Sequence, residues 1–100
     1  MTNALTLTYD FEETETGGRF IARDGAGHEA ELTFSKAGTE RIVADHTGVP
    51  DAFRGQGVGK ALVERLITYV RAEGKKLIPL CPFVRGQLQR NPEWRDVVDQ

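Results

Sequence analysis

The chain has 100 residues, 39% hydrophobic and 28% charged, a globular balance at the length of one domain spanning residues 1–100. A net charge of −2 makes the whole chain no magnet for nucleic acid or anionic lipid, and no apolar run approaches a membrane span. The lone cysteine, Cys81, excludes an intrachain disulfide, and no Cys/His spacing suits a metal such as zinc. Met1-Thr2-Asn3-Ala4-Leu5 carries no basic or continuously apolar leader, so a soluble, cytoplasmic protein is expected.

In chain order, Leu5, Leu7 and Tyr9 alternate with Thr6, Thr8 and Asp10, the period of a half-buried strand. The acids Asp10, Glu12, Glu13 and Glu15 read as its solvated end, or as an attraction for a cationic partner. Gly17-Gly18 reads as a turn into a short strand, Arg19–Arg23. Asp24-Gly25 with Gly27 signals a hairpin, and Ala30, Leu32 and Phe34 then alternate with Glu31 and Thr33. Ala37-Gly38 turns the chain into Arg41–His46, completing a predicted antiparallel meander.

The period then lengthens. Val58, Leu62, Leu66 and Val70, widened by Ala61, Val63 and Ile67, form the apolar stripe of a helix from about Gly57 to Glu73, with Gly74 closing it. Residues 76–80 form a short strand that Pro79 assigns to an edge or an interrupted ladder. Cys81-Pro82 opens a helix, and Asn91-Pro92-Glu93 opens a last short one carrying Trp94, Val97 and Val98. Phe83, Leu88 and Trp94 are expected to pack these helices onto the sheet. The fold class is α+β in the order ββββ–α–β–α.

Charge is divided along the chain. Residues 1–49 hold nine acids and four bases, whereas residues 50–100 hold six acids and nine bases. The basic excess surrounds Arg54-Gly55-Gln56-Gly57-Val58-Gly59-Lys60, which enters the long helix. Free amides and the dipole at a helix N-terminus favour an anion, and glycines let a phosphate approach the main chain. A P-loop is excluded because its first glycine and its Ser/Thr are replaced by Arg54 and Ala61. The dinucleotide fingerprint is excluded by the spacing Gly55-x-Gly57-x-Gly59.

Arg54, Gly57 and Gly59 match Arg-x-x-Gly-x-Gly, the pyrophosphate loop of the GNAT acyl-CoA N-acyltransferase superfamily. Asp45-His46-Thr47-Gly48-Val49-Pro50, Pro79-Leu80-Cys81-Pro82-Phe83-Val84 and Asn91-Pro92-Glu93-Trp94 sharpen the likeness. Over roughly residues 17–98 the chain resembles the small single-domain GNAT-like acetyltransferases. The resemblance implies a β-meander, a long helix, a splayed fifth strand and C-terminal short helices. It implies acetyl-CoA as co-substrate, with Thr47, Gly48 and Val49 pairing its pantetheine arm and the amides of Gly55, Gln56, Gly57, Val58, Gly59 and Lys60 holding its pyrophosphate, Arg54 nearby.

In that family His46 and Cys81 end the two walls of the slot where amine and thioester meet. An imidazole can take the ammonium proton, although His46 is also an ordinary strand-end histidine. Cys81 can accept the acetyl group first, or be a small buried thiol. Many larger relatives use a tyrosine as general acid after strand five, a position that neither Tyr9 nor Tyr69 matches. The expected activity is N-acetylation of a primary amine, either a protein lysine or a small amine, by a monomer or weak dimer. The rival is a non-catalytic acyl-CoA-binding or sensing module, which needs neither His46 nor Cys81.

Overall fold

The computed structural model describes residues 7–99, so Leu5 and Thr6 of the predicted first strand lie outside it. The strands are β1 (Thr8–Glu13), β2 (Gly17–Arg23), β3 (Glu29–Ala37), β4 (Arg41–Gly48) and β5 (Lys76–Pro79). Helices α1 (Val58–Ala72) and α2 (Pro82–Arg90) flank β5, and short 3₁₀ helices cover Asp51–Phe53 and Pro92–Val97. The sheet order is β1-β2-β3-β4-β5. The first four strands are antiparallel neighbours, and β5 runs parallel to β4, a return that α1 spans.

Patterning explains the assembly. Phe20, Ala22, Ala30, Leu32, Phe34, Ile42 and Ala44 alternate onto one sheet face and are buried there. The α1 stripe of Val58, Leu62, Val63, Leu66, Ile67 and Val70 closes over that face, and Trp94 and Val97 complete the same apolar cluster. Helix α1 is bounded as the glycines dictate: Gly57 is its N-cap at φ +69°, and Gly74 follows its C-cap at φ +67°.

Two stretches differ from the sequence reading. Gly17 and Gly18 belong to β2, and the reversal lies before them, where Thr14 Oγ1 accepts from the Thr16 and Gly17 amides at 3.3 and 3.2 Å. These glycines serve close packing, because a Cβ would strike the Phe34 carbonyl oxygen at Gly17 and the Glu12 carbonyl oxygen at Gly18. The acids of β1 are exposed, as a solvated end would be, but they also serve as cross-strand partners. Asp10 pairs with Arg23, Glu12 with Arg19 at 2.8 Å, and Glu13 with Lys36 at 2.8 Å.

The β4–β5 ladder is short. Pro79 has no N–H to give, and the Ala44 carbonyl accepts from the Cys81 amide at 3.0 Å. Beyond Ala44, β4 continues through Asp45–Gly48 with no β5 residue beside it. This is the expected splay.

Gly17→Ala and Gly18→Ala should each lower stability by about 1–3 kcal/mol through overpacking. Gly25→Ala, with open space around its Cβ position, should stay within about 0.5 kcal/mol of the parent. Urea denaturation checks both. Equal stabilities across the three variants would remove the packing argument.

Candidate functional site

A register shift between Thr33 and Phe34 decides which side chains face the splay. Phe34 pairs with Ala44, but Thr33 pairs with His46 and Leu32 with Thr47, leaving Asp45 as an extra residue. Thr47 therefore joins Leu32 and Ala44 on the helix-covered face. His46 stands exposed on the opposite, open face, its ring lying over Gly48. The structure thus brings Thr47, rather than His46, to Cys81.

Cys81 is the N-cap of α2 and only 4% exposed, with Sγ 3.3 Å from Thr47 Oγ1. Burial pushes its thiol up, but the Thr47 hydroxyl and the amides of Val84, Phe83 and Thr47 donate to sulfur and together outweigh it. The net shift is downward, toward thiolate. The tyrosines stay away from this pair. Tyr69 donates to Glu13 at 2.8 Å, burial and that carboxylate raising its pKa, and the Tyr9 ring lies under Arg65.

The glycine run follows the 3₁₀ turn. Gly55 (φ +79°) and Gly57 (φ +69°) hold left-handed backbone that favours glycine. The Gln56 amide is spent on the Phe53 carbonyl at 3.1 Å, but those of Gly55, Gly57, Val58, Gly59 and Lys60 have no backbone acceptor among the described residues. Arg54 is tied to Asp51 at 2.9 Å, whereas Lys60 has no carboxylate partner among the described residues. With Val49 from the end of β4 and Phe83 and Gln87 from α2, the run encloses an open cleft of about 260 Å³.

Phe83 was not legible as part of this site. It is 39% exposed in the cleft rather than packed under α2, while Leu88 and Trp94 are buried as expected. Two larger depressions lie elsewhere, one lined by Glu29, Glu31 and the end of β4, the other by Pro79, α2 and the C-terminal turn. The smallest cleft is the one that combines unpaired helix amides with a free lysine, which is anion chemistry. Among the described residues no His/Cys/Asp/Glu cluster could hold a metal, and no helix is long and apolar enough to cross a membrane.

Residues 19–97 match the profile of GCN5-related N-acetyltransferases. The chain belongs to that family. Its GCN5-related N-acetyltransferase fold is shared by a GCN5-like N-acetyltransferase candidate from Staphylococcus aureus, known from a solution structure. The two are 31% identical with a TM-score of 0.70, over 90% of this chain and 87% of that one. Protein NATD1 of Xenopus tropicalis is 32% identical over 72 residues, and that of Homo sapiens 30% identical over 72. These matches span 72% of this chain but only 66% and 64% of the respective relatives' lengths. The family is the one that the sequence resembles.

The Cys81 thiolate should appear at lower pH than that of an ordinary cysteine, and Thr47→Val should move its titration upward. Ultraviolet thiolate absorbance against pH measures both. Identical titrations would show that the Thr47 hydroxyl does not act on the sulfur.

Proposed function

We propose that this GCN5-related N-acetyltransferase uses acetyl-CoA as donor and a primary amine, a protein lysine or a small amine, as acceptor. The observation that carries this reading is the set of unpaired amides of Gly55, Gly57, Val58, Gly59 and Lys60 along one cleft, beside the free edge of β4. The cleft suits the donor's diphosphate: the helix N-terminus supplies donors and partial positive charge, and Lys60 supplies a full one. Arg54 can join once it releases Asp51. Thr47, Gly48 and Val49 would hold the extended arm as a neighbouring strand holds another, through the backbone that β5 leaves unpaired.

Acetyl-CoA supplies an acetyl group activated as a thioester. The chain's own residues orient and deprotonate. His46, on the open face, would take the proton from the incoming ammonium. Cys81, held toward thiolate at the inner wall, can take the acetyl group on Sγ as the donor's thioester bond breaks and CoA leaves as its thiol, and then pass the group to the amine. Direct attack by the amine, with Cys81 near the departing thiolate, is the other route. The acidic run of β1 has no part in acceptor capture, because β2 and β3 separate it from β4.

Intact-protein mass spectrometry with acetyl-CoA, before and after a lysine peptide or polyamine is added, tests the reading. We expect acetylated amine. One acetyl group gained on Cys81 and discharged by the amine would select the covalent route; acetylated amine without it would select direct attack. Binding of CoA with no amine acetylated would replace this reading with an acyl-CoA-binding module.

Cys81→Ala should keep CoA affinity while acetyl transfer falls roughly tenfold or more. Full activity would demote Cys81 to packing. Gly57→Asp should weaken CoA binding by at least about tenfold, by setting a carboxylate against the diphosphate. Calorimetry on the folded variant measures that loss, and unchanged affinity would remove the diphosphate from this loop.

A further inference from the structure

The three glycines of the run do not share one purpose. Gly55 and Gly57 have positive φ, whereas Gly59 lies within α1 in ordinary helical backbone. A glycine inside a helix costs about 1 kcal/mol relative to alanine, so its presence calls for a local reason. That reason is Phe83: a Cβ on Gly59 would stand 2.6 Å from Phe83 Cζ and 3.1 Å from Cε2. The phenyl ring of α2 rests on the bare main chain of the first turn of α1.

The ring is nevertheless 39% exposed, and it lines the cleft opposite the end of β4. Of the four large apolar side chains exposed among the described residues, Val49, Leu80 and Phe83 stand around the splay, and only Phe11 lies elsewhere. A phosphate site needs amides and cations; it has no use for an open phenyl ring facing a valine. A donor with an aliphatic arm next to its phosphates does.

We propose that Phe83, seated on Gly59 and facing Val49, is the specificity-determining surface for the aliphatic pantetheine arm. It makes the cleft select a pantetheine-bearing donor over a nucleotide that carries the same phosphates. The proposal rests on the reading of this cleft as the acetyl-CoA site. It assigns the missing side chain of Gly59 to the ring, its amide staying among the free donors of the loop.

Calorimetric titration of CoA and of adenosine 3′-phosphate 5′-diphosphate, which lacks the arm, tests it on the wild type and on folded variants. The wild type should bind CoA more tightly than the nucleotide. Phe83→Ala should weaken CoA about tenfold while leaving the nucleotide within about twofold, and Phe83→Leu should restore most of the difference. Gly59→Ala should push the ring off its seat and weaken CoA in the wild type, with no further loss when added to Phe83→Ala.

Equal loss of both ligands in Phe83→Ala would make the ring a mere prop for the loop. No loss of CoA in that variant, or equal wild-type affinities for the two ligands, would also overturn the assignment. A wild type that binds neither ligand would instead bring down the acetyl-CoA reading, and this proposal with it.

Discussion

Where β5 ends, Asp45 to Gly48 run on along β4 with one edge lacking a strand. Buried backbone donors and acceptors in a folded protein need partners. The missing N–H of Pro79 and the bond from the Cys81 amide to Ala44 fix where pairing stops. The same bond sets Cys81 at the head of α2, beside Thr47, and the chain leaving β4 delivers the glycine run to the other side of the gap. The position of the thiol and the gap beside the glycine run therefore both depend on one interrupted ladder.

Much of this could be read from residue order. The four-residue recurrence from Val58 to Val70 and the hairpin glycines reflect local geometry, which a sequence displays directly. The glycine run was legible as a helix entry with free amides for the same reason. The register shift at Asp45 was not: nothing in Asp45-His46-Thr47 announces an extra residue, because it arises from pairing with β3. Without that shift, His46 and Ala44 would share a face; with it, Thr47 takes the place beside Cys81. Gly17-Gly18 and Phe83 escaped similarly. Glycine's flexibility suggests a turn and phenylalanine's apolarity suggests a core, but close approach to Phe34 and to Gly59 is a tertiary fact.

The open face of the sheet is ordered by charge rather than by a second helical layer. Arg19 bridges Glu12 and Glu31, and Arg23 bridges Asp10 and Glu29, linking β1, β2 and β3. Ile21 sits between the cross-strand partners Asp10 and Glu31 and is fully buried, yet it stands outside the main apolar cluster. Long arginine stems can cover apolar surface while their heads stay wet, which accounts for such a residue. Individually these exposed pairs contribute little. As a lattice they occupy Asp10 and Glu12 of β1 and Glu29 and Glu31 of β3 alike, so that each of these carboxylates has a guanidinium partner.

A sheet edge with free amides and carbonyls invites pairing with another chain. The outer edge of β5 withholds that invitation. Leu77 is bridged to Val98 and its carbonyl accepts from the Asp99 amide at 2.9 Å, Pro79 offers no donor, and Arg85 reaches the Pro79 and Leu80 carbonyls. The inward edge of β4 stays open only across a gap bounded by α1 and α2. Strand-like association at this end is thereby directed inward, so that a slender arm can enter where the edge of another folded protein cannot.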